Sequence, residues 1–151
     1  MNKSIRIGGA SGFWGDSYRA TEQLIQDTTL DFIVYDYLAE ITMSIMARAR
    51  AKSPSAGYAT DFIDAVIKPY IKRISTHNTR LISNAGGVNP EKCAEVISEL
   101  VKDLQLNLKV SCITGDDLMG SAQEIKNMNC KEMFSDIKFP ELDKVASMNA
   151  Y

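Results

Sequence analysis

Asp31-Phe32-Ile33-Val34-Tyr35-Asp36 places four large apolar residues between two aspartates. A run this short and this apolar reads as a strand covered on both faces, as inside a parallel sheet. Similar short runs lie on either side of it. Ile5-Arg6-Ile7-Gly8 comes before, and Arg80-Leu81-Ile82-Ser83-Asn84 and Leu108-Lys109-Val110-Ser111-Cys112-Ile113-Thr114 come after.

Helical periodicity fills the gaps between these runs. Ala20, Leu24 and Ile25 mark a first helix. Leu38, Ile41, Ile45, Met46 and Ala49 mark a second, with Arg48, Arg50 and Lys52 complementing the negative end of its dipole. Ser53-Pro54-Ser55-Ala56-Gly57 breaks it. Phe62, Ile63, Val66, Ile67, Tyr70, Ile71 and Ile74 form the face of a third, with a kink expected at Pro69. Asn89-Pro90 opens a fourth, Asn as N-cap and Pro as first helical residue, with Ala94, Ile97, Leu100, Val101 and Leu104 as its stripe.

Strands joined through helices pair in parallel, and their crossovers are right-handed. The expected fold is therefore α/β: a parallel sheet with helical crossovers in an open, doubly wound, three-layer arrangement. Part of a (β/α) barrel is the alternative. Residues 1–151 read as a single domain, with 119–151 less regular. The final Val145-Ala146-Ser147-Met148-Asn149-Ala150-Tyr151 carries no stop signal. The chain thus reads as an incomplete N-terminal portion of a larger domain.

Composition narrows the function classes. With 151 residues, the chain is long enough for a real core. Its 17 basic and 19 acidic residues give a net charge of −2, which argues against a phosphate-binding nucleic-acid surface. No run approaches the roughly 20 apolar residues of a membrane span, and Met1-Asn2-Lys3-Ser4 begins no signal sequence. A cytoplasmic protein is the expectation.

Cys93, Cys112 and Cys130 are too widely spaced for a disulfide framework or a zinc site. Cys93, on a helix, and Cys112, in an apolar strand, read as buried, while Cys130 reads as an exposed thiol. The lone His77 sits at a helix end, where its dipole suits the C-terminus. No Ser-His-Asp or Cys-His set can be built around it. The seven methionines read as core filling.

Both α/β architectures bind ligands at the carboxyl ends of their strands. The first strand runs into Gly8-Gly9-Ala10-Ser11-Gly12-Phe13-Trp14-Gly15-Asp16-Ser17. Exposed amides ahead of a helix suit an anion, so Gly9, Ser11, Gly12, Gly15, Asp16 and Ser17 are candidate ligand-binding residues. A tight turn without a ligand is the bland alternative. Neither the dinucleotide fingerprint nor the P-loop fits this spacing. Asp16 would also repel a phosphate unless a metal intervened.

The second strand runs into Asp36-Tyr37-Leu38-Ala39-Glu40. If a helix begins at Tyr37, the Asp36 and Glu40 carboxylates point the same way. They would then hold a metal or divide into acid and base. For Glu40, a first-turn acid facing the dipole is the alternative. The third strand leads to Asn84-Ala85-Gly86-Gly87-Val88-Asn89, where Asn84 can donate and accept at once. Asn84, Gly86, Gly87 and Asn89 join the ligand-binding candidates. The fourth leads to Gly115-Asp116-Asp117. Asp116 joins Asp36 and Glu40 as a catalytic candidate, with a solvated turn as the alternative. No motif names a cofactor.

Together these blocks resemble the AtuA-like acyclic terpene utilisation family. The similarity rests on 8–17, on 36–40 with Thr42-Met43-Ser44, on Arg48-Ala49-Arg50-Ala51-Lys52 and on Gly57-Tyr58-Ala59-Thr60-Asp61-Phe62. It continues through 83–90 and 115–117, and thins beyond Leu118. Asn149-Ala150-Tyr151 resembles a block that a further strand-loop-helix section follows in the family. The resemblance implies a role in bacterial breakdown of acyclic terpenes such as citronellol and geraniol through acyl-CoA intermediates. It implies no particular reaction. Three readings stay open: an enzyme acting on a branched acyl-CoA or related carboxylate, a nucleotide- or CoA-binding module without catalysis, and a structural subunit. A homo-oligomer, or a missing C-terminal portion, is expected from the open sheet edge.

Overall fold

β-branched and aromatic residues favour a pleated strand, and Phe32–Tyr35 forms the central one, β2. Its neighbours are β1, Ile7–Ser11, and β3, Arg80–Ser83, both parallel to it. The order across the sheet is β1-β2-β3. The computed structural model describes residues 4–27 and 29–150. It divides into two compact units, Met1–Cys112 and Ile113–Tyr151.

The sheet is open and not a closed barrel. In the chain, α1, Ala20–Leu24, lies between β1 and β2. Between β2 and β3 lie α2, Glu40–Lys52, a π-helical segment, Phe62–Ile67, and α3, Lys68–His77. After β3 comes α4, Pro90–Asp103. Side chains alternate along a strand, so Gly8, Ile33 and Leu81 form one row facing the core. A Cβ on Gly8 would lie 2.9 Å from a Leu24 methyl, which shows how closely α1 covers this face. The core gathers Ile33 and Tyr35 with Met46, Phe62, Ile67, Ile71, Cys93 and Val101, from β2 and from α2 through α4.

The opposite face differs from expectation. Ile7 and Ile82 are 62% and 53% exposed, and Phe32 and Val34 lie half-buried outside the core cluster. The Arg80 guanidinium rests over the Phe32 ring, 5.6 Å from its centroid. β2 is thus covered by helices on one face only among the described residues.

Other elements shift as well. The predicted fourth strand is not a strand. Leu106, Leu108 and Val110 seat on the core at alternate positions, but the segment makes no ladder, and Ile113 is 90% exposed. Cys112 is exposed rather than buried, while Cys93 is buried and Cys130 exposed. At Pro69 the third helix carries a π-helical segment, Phe62–Ile67, immediately ahead of α3. Proline lacks an N–H and its ring crowds the carbonyl four residues back, which the wider turn accommodates. His77 is the last residue of α3, followed by Asn78 in the left-handed conformation.

The loop after β3 is tied to the loop after α2. Ala59 N donates to Ala85 O (2.8 Å) and Val88 N to Gly57 O (3.0 Å). The Asn89 amide donates to the carbonyls of Pro54 and Ala56, and the Arg50 guanidinium to that of Val88. Gly87 has φ +54°, and a Cβ there would run into the Met46 sulfur and the Gly57 carbonyl.

The second unit holds short elements only: 3-10 turns at Met119–Ser121 and Leu142–Lys144 and a helix α5, Ala122–Asn127. Single antiparallel bridges join Asp117 to Asn149 and Lys131 to Lys138.

Two outcomes follow from this packing. Gly87→Ala is expected to lower stability by about 2–3 kcal/mol, through strain and the Met46 clash, in urea unfolding. An unchanged midpoint would contradict the packing. Burial also pushes the Cys93 thiol up to about 11. In the native chain a thiol reagent should modify Cys112 and Cys130 promptly, and Cys93 only after unfolding. Prompt modification of all three would contradict the burial of Cys93.

Candidate functional site

The carboxyl edge of the sheet is organised by a bulge. The register of β1 on β2 slips between Gly9 and Ser11, which sets Ser11 beside Tyr35. Bulges of this kind re-aim a side chain at a strand end. Here the Ser11 hydroxyl donates to the Asp36 carbonyl (3.1 Å).

The first loop closes on itself. Gly12 N donates to the Asp16 carboxylate (2.9 Å), and the Ser17 hydroxyl accepts from Ala20 N (3.2 Å) at the start of α1. Gly15 takes φ +86°, a conformation that glycine adopts freely. Gly9 stays in the strand, paired with Val34. Asp16 thus occupies a donor that an anion would otherwise use.

Asn84 joins the ends of β2 and β3. Its carbonyl accepts from Tyr37 N (2.7 Å), and its amide donates to Asp36 Oδ1 (2.8 Å). Leu38 N donates to the same oxygen (3.3 Å). Asp36 therefore has one oxygen held and the other unengaged among the described residues. Gly86, Gly87 and Asn89 serve the loop packing: a Cβ on Gly86 would sit 2.8 Å from Pro90.

α2 begins at Glu40, not Tyr37, because Thr42 Oγ1 accepts from Ala39 N (2.6 Å) and fixes the start there. Asp36 precedes the helix, so the four-residue helical spacing to Glu40 does not apply. Glu40 is exposed in the first turn. Asp116 lies in the second unit, where its carboxylate accepts from the Asn149 amide (2.8 Å). Among the described residues, no group of three His, Cys, Asp or Glu side chains is placed to hold a metal ion.

A small open cleft lies beside the first loop. Ser11, Gly15, Asp16 and Ser17, four of the ligand-binding candidates, line it. So do Phe13, Tyr18, Tyr37, Asp61 and Val66, which residue-type reasoning missed. Asp61 accepts from the Trp14 indole N–H (2.6 Å), which pins the first loop to the π-helical segment. The signals for these residues were present but indirect. Asp61 stands in one of the family-like blocks, and Tyr37 directly follows Asp36.

Two buried phenols back the cleft. The Tyr35 hydroxyl pairs with Thr21 Oγ1 (3.0 Å), and burial pushes it up to about 12. Tyr37 is pushed higher still, first by burial, then by the Asp61 carboxylate and the neighbouring phenols. Both stay neutral donors near neutral pH.

This is an α/β protein with an open parallel sheet and a polar loop cluster at the strand ends. The chain matches the model of the acyclic terpene utilisation family protein AtuA over residues 5–151. It belongs to this family, and the match extends past Leu118. No curated protein and no solved structure matches it. No helix among the described residues is long and apolar enough to cross a membrane.

The Asn84 bridge has a testable electrostatic consequence. Asn84→Asp keeps the acceptor for Tyr37 N but sets a second carboxylate against Asp36. Near neutral pH the variant should lose about 1 kcal/mol, the exposed site being partly screened. An unchanged unfolding midpoint would count against the bridge.

Proposed function

We propose that the chain acts in the breakdown of acyclic terpenes or related branched acyl-CoA compounds, and that it binds them at the carboxyl edge of the sheet. Family membership over residues 5–151 carries this reading. The chemistry is assigned to Asp36 because its geometry suits it. With Oδ1 held by Asn84 and Leu38, the other oxygen is the one left to meet a substrate proton. Glu40, exposed at the start of α2, is kept as a separate candidate and not as the partner of Asp36, since α2 begins only at Glu40. Asp116 is omitted because it belongs to the second unit, apart from the strand ends of the sheet.

The test is turnover of a branched acyl-CoA by the full chain. Asp36→Asn and Glu40→Gln should each lower it by about 100-fold or more while thermal unfolding stays near that of the parent. Unchanged turnover in both variants would remove the assignment.

A further inference from the structure

The segment that follows α4 returns along the core and carries a thiol with it. Gln105 takes φ +52°, and Leu106 N donates to Val101 O (3.0 Å), so the chain turns back at the end of α4. Beyond the turn, Leu106, Leu108 and Val110 seat on the core cluster that contains Cys93 and Val101. Side chains alternate along an extended segment, so Cys112 is the next residue on that same side. From Val101 back to Cys93, α4 spans about 12 Å. Extended chain from Leu106 to Cys112 reaches up to about 20 Å, enough to bring Cys112 alongside Cys93. Burial comes first in raising the Cys93 thiol, and Cys112 is the neighbouring group that adds to it. Cys93 is buried and Cys112 exposed. Residues 107–112 donate no backbone hydrogen bond among the described residues, so little holds the segment against a small inward shift.

We propose that Cys93 and Cys112 are a redox-sensitive pair, in which a hydroperoxide oxidises the exposed Cys112 and Cys93 then closes a disulfide onto it. In the first step the Cys112 sulfur attacks a peroxide oxygen and the O–O bond breaks. Cys112 becomes a sulfenic acid, and its proton leaves with the other oxygen as water. In the second step the Cys93 sulfur attacks the Cys112 sulfur and the S–O bond breaks. The hydroxyl leaves as water with the Cys93 proton. Both thiols are thereby oxidised and the peroxide is reduced to water. Burial keeps Cys93 a protonated thiol, out of reach of reagents in solution, so it reacts only with a partner held beside it. The closed bond ties the segment 106–112, which no ladder holds, to α4.

The test is hydrogen peroxide treatment of the full chain, followed by trypsin digestion without reduction and mass spectrometry. Cys112 lies about as far along the chain from Cys130 as from Cys93, so Cys130 is an internal control. In the native chain, tryptic peptides 93–102 and 110–126 should appear linked, about tenfold or more in excess of any Cys112–Cys130 product. In concentrated urea the two pairings should become comparable, because loop closure then depends on chain length alone. Cys130→Ser should leave the Cys93–Cys112 link intact, and Cys112→Ser should leave Cys93 a free thiol. A mixture of nitrogen-14 and nitrogen-15 chains should give linked peptides of one isotope only, as a bond within one chain requires. Oxidation of Cys112 to sulfinic acid with Cys93 still free would overturn the proposal. So would equal amounts of the two pairings in the native chain, or links of mixed isotope.

Discussion

Parallel strands need a crossover, and a crossover is right-handed. In this sheet each strand lies beside the one before it, so every crossover moves in the same direction. Right-handed crossovers that step one way pass over one face of the sheet. The core follows from that constraint. Ile33, Tyr35 and Leu81 meet α1 through α4 on one side, and Ile7, Phe32, Val34 and Ile82 lie outside the cluster on the other. The same constraint brings the loops after β1, β2 and β3 to one edge, because the strands all run the same way. A site at that edge is a consequence of the topology, before any residue type is considered.

What occupies the edge is decided by hydrogen bonding. Most of its polar groups are already matched within the chain. Asp16 takes the Gly12 amide, Asn84 takes Tyr37 N and holds Asp36, and Asn89 ties down Pro54 and Ala56. The glycines after β3 make room for close packing of the loop. Among the described residues, groups with capacity to spare include one oxygen each of Asp16, Asp36 and Asp61. These define the candidate chemistry more narrowly than the glycine-rich loops that surround them.

The sheet and helices were legible in the sequence where periodicity was strong. Phe32–Tyr35 and the stripes of α3 and α4 are fixed by local pattern and by Asn89-Pro90. Leu108–Thr114 misled, because alternating apolar residues can seat on a core without joining a ladder. That difference depends on a partner strand, which local pattern does not encode. The start of α2 was likewise set by one contact, Thr42 to Ala39, that periodicity does not see. At the strand ends, Ser11, Asp36 and Asn84 stood out as candidates because they end or directly follow strands, and Asp16 because it stands in the glycine-rich loop after β1. Asp61 and Tyr37 were not, because their role arises from the approach of the π-helical segment to the first loop, across many residues of chain.

The central claim is that the carboxyl edge of the sheet, and not its exposed apolar face, receives the ligand. A crystal structure of the full chain with a branched acyl compound bound tests this most directly. The account predicts ligand density at the strand ends, in contact with Ser11, Tyr37 and Asp36. Density instead over Ile7, Phe32, Val34 and Ile82, with the strand-end cleft empty, would contradict it.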